Sequence, residues 1–323
     1  MRSAFFKLLI VMIVAGICSG CALNYSISEP VPSSFHYDIG DGHPAVLQIV
    51  DQRNDEKFFM GIGNLSRFDI KLENVKDPID WLSRALQAEF ASRGVPVEVA
   101  GKEFTGQADL VFAVRKYQIA NYRASGFTPW VAYHSLGGDL KSRDGSYPVR
   151  SFFLYGKVPV WSMSEVHGPC LSMPMGILVR DVASKINRYA LHYSASNGRL
   201  DEINAQLAEK MKSAAPDAYL SVLELGACNN PEAMPILKKT VESEDTLIRA
   251  CALSSMGTLG AEKELDLLKQ KYAEYADIDR FMALKAIGDV GTPEAVDFLK
   301  KAKAEPQNEN EYAVKYCVDL YTE

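Results

Sequence analysis

"LELGACNNPEAMPILKK" (223–239), "SSMGTLGAEKELDLLKQ" (254–270) and "KAIGDVGTPEAVDFLKK" (285–301) align without gaps. Gly226, Gly257 and Gly288 fall 31 residues apart. At the same spacing lie Leu225, Met256 and Ile287; Val222, Leu253 and Leu284; Met234, Leu265 and Val296; and Leu237, Leu268 and Leu299. Pro231 returns as Pro293, and Arg249 as Arg280. Each unit reads as an apolar helix ending at a glycine, a short turn, and a second amphipathic helix. One such hairpin cannot bury both of its faces, whereas stacked copies share a continuous core. Tyr312, Val314 and Val318 predict an incomplete last helix, and Ile203 and Leu207 a degenerate first one, as expected of terminal repeats that cap a stack.

The pattern resembles short HEAT-like repeats, with "IRACALSSMGTLG" (248–260) its most typical segment. The resemblance implies an all-α HEAT-like solenoid over residues 198–323, which offers an extended surface to other proteins. The repeat register assigns two cysteines. Cys228 takes the place of Leu259 and Val290, and Cys251 that of Met282, so both read as small core hydrophobes rather than metal ligands. Cys170 and Cys317 have no such internal control, and spacing cannot assign a disulfide among the four. Lys238, Lys269 and Lys300 also recur, with Lys239 and Lys301 beside them. Stacking would align them as a basic column, read either as a solvated face or as a docking stripe for an acidic partner or phospholipid headgroups.

Charge separates this half from the rest. Residues 201–323 hold 14 Lys+Arg against 23 Asp+Glu, while the remainder holds 21 against 18. That asymmetry predicts two units. The whole chain of 323 residues is 47% hydrophobic with a formal charge of −6, which fits globular domains and gives no sign of non-specific nucleic-acid binding.

Within 44–197, "PAVLQIVDQRND" begins with a compact apolar run read as a buried strand, with Asp51 and Arg53 at its exit. "SRFDIKLEN" reads as a second short strand. "DPIDWLSRALQAEFASRG" carries helix signals at both ends: Asp77 at the N-cap, Pro78 in the first turn and Gly94 just past the end. Ile79, Leu82, Leu86 and Phe90 share one face, so this helix packs on a sheet. "VPVEVA" and "ADLVFAVRKYQIANYR" follow as strands, then a hairpin turning at Asp144-Gly145, then a helix from about Met175 to Ala195. This order predicts an α+β domain with helices on one face of a sheet. It is similar to the YajG-like family of small envelope lipoproteins, on Asp51-Gln52-Arg53, then Gly61 and Gly63, then the helix over 77–94. The resemblance implies a periplasm-facing domain and carries over no catalytic residue.

The N-terminus, "MRSAFFKLLIVMIVAGICSGC", places Arg2 and Lys7 before an uncharged run from Leu8 to Ile17. Ten helical residues rise only about 15 Å, half of a hydrocarbon core, so the run reads as an export signal rather than a span. It resembles a bacterial lipoprotein signal. Ser19 and Gly20 fit the two small positions before the modified cysteine, which is then Cys21; Cys18 stands where leucine is usual. The resemblance implies a signal peptide over 1–20, a lipid anchor on Cys21 and sorting to the outer membrane. Residues 21–43 read as a tether.

No catalytic constellation emerges. His167 and Cys170 in "HGPC" lack a second ligand pair at metal spacing and read as a turn. Gly61-Ile62-Gly63 is too short for a phosphate loop. Neither a metal nor a cofactor is expected. Asp51 and Arg53, two apart on a strand, share a face and either orient a loop or partner or form a strand-end ion pair. "FTPWVAY" (127–133) is an aromatic cluster that serves either an interface or a sheet core. The expectation is a non-enzymatic envelope lipoprotein, anchored through Cys21, that scaffolds another envelope protein. Its candidate binding residues are Lys238, Lys269, Lys300, Asp51 and Arg53. An auxiliary lipoprotein of a transport system and a hydrolase using the loops of 122–150 are the alternatives.

Overall fold

The alternation in "AVLQIVD" folds as strand β2 (Ala45–Asp51), which buries Leu47 and Ile49. In the computed structural model, which describes residues 23–39, 44–54, 57–305 and 311–323, β2 lies second in a mixed sheet. The order is β5 (Val97–Ala100), β2, β6 (Leu110–Tyr122), β7 (Trp130–Ser142) and β8 (Gly145–Lys157). β3 (Phe59–Ile62) pairs in parallel with the last part of β6. β2 is parallel to β5 and β6, while β6, β7 and β8 run antiparallel, the last two closing at the hairpin predicted from Asp144-Gly145.

The register of β6 and β7 slips between Val114 and Lys116. This bulge at Arg115 changes the phase of β6. Leu110, Phe112 and Val114 face one side before it, and Tyr117 and Ile119 face that same side after it. Helices α1 (Pro78–Ser92) and α2 (Met173–Ile186) cover that face side by side. The Asp77 carboxylate caps α1 by accepting from the amides of Ile79 and Asp80, at 2.8 and 3.1 Å. Wide π turns, His167–Ser172 and Asn187–Leu191, extend α2 at both ends.

Among the described residues, eight further helices follow: α3 (Asn197–Lys212), α4 (Ala218–Ala227), α5 (Ala233–Thr240), α6 (Thr246–Leu259), α7 (Leu265–Glu274), α8 (Ile278–Val290), α9 (Pro293–Ala304) and α10 (Glu311–Thr322). α4, α6, α8 and α10 pack successively on one another, and α3, α5, α7 and α9 flank them. The 31-residue glycines mark where the inner helices meet. A Cβ on Gly226 would lie 2.5 Å from Ser255 Cβ, one on Gly257 2.8 Å from Ala286 Cα, and one on Gly288 2.5 Å from the Tyr321 ring. They serve helix contact rather than ending the helices. The chain turns three residues later, where Asn229, Gly260 and Gly291 adopt left-handed backbone.

The architecture is therefore a mixed sheet region followed by helices, but the two are not set apart. α4 and α6 pack on α2, α8 packs on β8, and α10 crosses to the opposite face of β7 and β8. One hydrophobic core runs from Leu47 and Phe112 through Val182 to Val222, Leu253 and Ile287. The helical part does not project from the sheet. It wraps the β8 edge, closing an edge strand that would otherwise be exposed.

The expected tether is also corrected. Over residues 23–39 the chain is a strap: β1 (Leu23–Tyr25) pairs with β4 (Ile70–Leu72), and Tyr25, Ile27, Phe35 and Tyr37 are buried. It gave no periodic signal because, past Tyr25, it is held through side chains rather than by a ladder. The expected signal peptide and the lipidation site at Cys21 lie outside the described residues.

Candidate functional site

Two buried ionic clusters join the parts of the chain. The first fastens the strap. Glu89 of α1 and Arg93, the residue just past its end, pair at 2.6 Å, and the Ser33 amide donates to Glu89 Oε2 at 3.0 Å. Arg180 of α2 donates to the carbonyl of Val31 at 2.6 Å and to Ser33 Oγ at 3.3 Å. Further along, Ser34 donates to Glu224 Oε1 of α4 through its amide and hydroxyl, and the Tyr37 hydroxyl donates to the carbonyl of Ala227. The strap thus runs between α1 and α2 and ends on the helical part.

The second cluster is the seam between sheet and helices. Lys185 Nζ lies 2.9 Å from Asp181 Oδ2 and 2.6 Å from Asp289 Oδ1. Lys285 Nζ lies 3.0 Å from Asp181 Oδ2 and 2.8 Å from Asp289 Oδ2, the latter an ion pair rather than an aligned hydrogen bond. All four side chains are at most 5% exposed. The Tyr321 hydroxyl donates to Asp289 Oδ1 at 2.6 Å, Thr258 donates to Asp181, and Lys185 donates to the carbonyl of Arg150. Burial pushes the Asp181 carboxyl up, but Lys185 and Lys285 together hold it below the usual carboxylate range. Two negative and two positive groups from α2 and α8 cancel, which lets them stay charged in the core.

The sequence candidates fall into place around these clusters. Lys238 pairs with Glu264, and Lys269 with Glu294, each carboxylate belonging to the next repeat. The lysine column is thus, at these two positions, a ladder of inter-repeat ion pairs; Lys300, in the last repeat, is exposed. β2 ends at Asp51, so Arg53 lies past the strand, and the two close on each other in a bidentate pair, Nε to Oδ1 and Nη2 to Oδ2, both 2.9 Å. The aromatic cluster divides. Trp130 is buried and its indole donates to Asn121 Oδ1 at 3.2 Å, and the Tyr133 ring stacks on Tyr316 of α10, whereas Phe127 is exposed. Cys170, Cys228, Cys251 and Cys317 are free thiols, all buried. Burial raises the Cys228 thiol to about 11 and the Cys170 thiol to about 12, so neither is a ready nucleophile. Buried His134 donates from Nε2 to the carbonyl of Cys170 at 2.8 Å, and burial pushes its pKa down to about 4.

A cleft of about 690 Å³ opens to solvent on the sheet face opposite α1 and α2. β6, β7 and β8 form its floor and α10 one wall. Lys57, Arg115, Lys116, Arg150 and Lys315 line it, against Asp139, Asp319 and Glu323. The bulge supplies two of its cations: at the slipped position Arg115 and Lys116 both reach the same face. Gly137 keeps the floor open for Arg150, since a Cβ there would lie 2.8 Å from both Arg150 Cδ and Leu320 Cδ1. Arg115 and Arg150 share Asp139, at 2.7 and 3.5 Å. The sequence held no signal for this cleft, because its walls come from strands and a helix some 170 residues apart in the chain. The arrangement suits binding of an anionic or acidic group by several cations at once.

Set beside family models, curated proteins and solved structures, the chain matches none.

Proposed function

We propose that this chain is an envelope lipoprotein, anchored by acylated Cys21 and periplasm-facing at the outer membrane, that binds another envelope protein and performs no catalysis. The single observation that carries the binding part is the cleft beneath α10, where five basic side chains converge at a junction of sheet and helices. Two of the sequence's candidate lysines and both strand-end residues are paired within the fold; in the cleft, Arg115 and Arg150 share the single carboxylate of Asp139, and the side chains of Arg115 and Lys315 are exposed to solvent. An acidic segment of a partner is the chemistry they fit. The anchor rests on the leader sequence, and the scaffold role on the HEAT-like register of residues 198–323, in which the helix stack supplies one wall of the binding surface.

Charge reversal tests the binding surface without disturbing the core, because the Arg115 side chain is 63% exposed and Lys315 is exposed. Membrane-anchored wild-type protein and the Arg115→Glu/Lys315→Glu variant are crosslinked in intact cells and purified. The proposal expects one crosslinked partner to disappear with the reversal. An unchanged set of partners contradicts it. Deleting residues 198–323 is a poor substitute, since it removes half of the shared core.

A further inference from the structure

Among the described residues, the large apolar side chains left exposed are Val31, Phe68, Phe127, Val158, Trp161 and Met211. Four of these six gather at one end of the sheet. β3 and β6 end together there, with Ile62 opposite Tyr122, and Phe68 follows shortly after β3. Phe127 sits at the tip of the loop joining β6 to β7. β8 leaves the sheet at Lys157, opposite Trp130, and delivers Val158 and Trp161 to that same end. Asn64 bridges the first two groups by donating to the carbonyl of Ala124. Phe127 and Trp161 are 96% and 84% exposed, values that no fold-internal role explains.

The N-terminal strap starts at this end. Leu23 pairs with Ile70, two residues from Phe68, and Tyr25 packs on Trp130 at 5.4 Å between ring centroids. Leu23, two residues after Cys21 in the sequence, therefore stands at the end of the sheet that carries the exposed aromatics. Arg67 and Arg123 stand among them, next to the surface pair Lys71–Asp69. Tryptophan and phenylalanine beside arginine are the side chains that settle at a headgroup boundary.

We infer that this rim, Phe68, Phe127, Val158 and Trp161, rests in the phospholipid headgroup layer next to the N-terminal anchor and fixes the orientation of the body on the bilayer. The inference rests on the anchored reading above and adds a second contact to it. An apolar rim adds buried area beside the acylated cysteine and restrains how the body sits on the bilayer. With the rim on the membrane, the cleft beneath α10 lies on a lateral face of the sheet.

The chain carries its own probe, since Trp81 and Trp130 are 2% and 1% exposed and only Trp161 is open. The full chain isolated from membranes is reconstituted into vesicles of phosphatidylethanolamine and phosphatidylglycerol with brominated acyl chains. The expected result is quenching of one tryptophan component by the brominated lipid. That component is absent in Trp161→Phe and much weaker in Phe68→Ser/Phe127→Ser, whose substitutions are at the surface and leave the fold intact. Vesicle-bound protein whose Trp161 is quenched by aqueous iodide and not by brominated lipid overturns the inference, as does a full chain that does not associate with vesicles. Mass measurement on the same sample separates the two readings. Quenching with Cys21 unmodified removes the lipid anchor and keeps the rim, whereas an acylated Cys21 without quenching does the reverse.

Discussion

Replacing Lys285 by methionine should cost about 3–5 kcal/mol, the range for removing one partner of a buried ion pair. Lys285 is fully buried and its Nζ serves both Asp181 and Asp289, at 3.0 and 2.8 Å. Methionine fills much of the same volume, so the packing change is small and the electrostatic change dominates. The variant leaves two buried carboxylates facing Lys185 alone, so one must take up a proton or draw in water. The loss is a large fraction of the 5–15 kcal/mol that typically holds a folded chain. Urea unfolding of a chain starting at residue 22, followed by circular dichroism, measures it. Sheet and helices should still unfold in one transition, because the seam and the core belong to both. The double variant Lys285→Met/Asp289→Asn restores neutrality while keeping an acceptor for the Tyr321 hydroxyl, and should recover at least half of the loss. A single substitution costing under ~1 kcal/mol, or a double variant no better than the single, would refute the view of the seam as a charge-balanced lock.

Three other outcomes follow from the same structure. Native His134 stays neutral until about pH 4, whereas the unfolded chain takes up its proton near 6.5. Its contribution is therefore complete above pH 6.5 and is lost as pH falls toward 4, by roughly 3 kcal/mol; His134→Gln should flatten the pH dependence of urea midpoints in that window. Gly257→Val places a Cβ 2.6 Å from Asp289 Oδ2 and should destabilise by about 1–3 kcal/mol or more, whereas Gly198→Val, with nothing within 4 Å, should leave the thermal midpoint nearly unchanged. A chain starting at residue 44 loses the strap that engages Glu89, Arg180 and Glu224, and should melt well below one starting at residue 22 in a differential scanning measurement.

The helical repeats were legible because their core positions recur: Val222, Leu253 and Leu284 are all fully buried, as are Cys228 and Cys251 in the apolar slots that the register assigned. α1 was legible from Asp77, Pro78 and Gly94, which signal its ends locally. What escaped the sequence lies where local pattern and burial part company. Asp181 and Lys185, like Lys285 and Asp289, are four apart on a helix and read as ordinary surface pairs, yet two such pairs meet face to face in the core. The bulge at Arg115 hides the alternation of β6, and the same slip builds part of the cleft. The strap has neither a helical nor a strand period, and its partners are up to 190 residues away.

The most direct test of the account is the mass of the first residue of protein isolated from the membranes of a bacterium that makes lipoproteins. The account predicts a chain that starts at Cys21 and carries acyl groups there. A chain that keeps residues 1–20, or one that begins elsewhere without acylation, contradicts it.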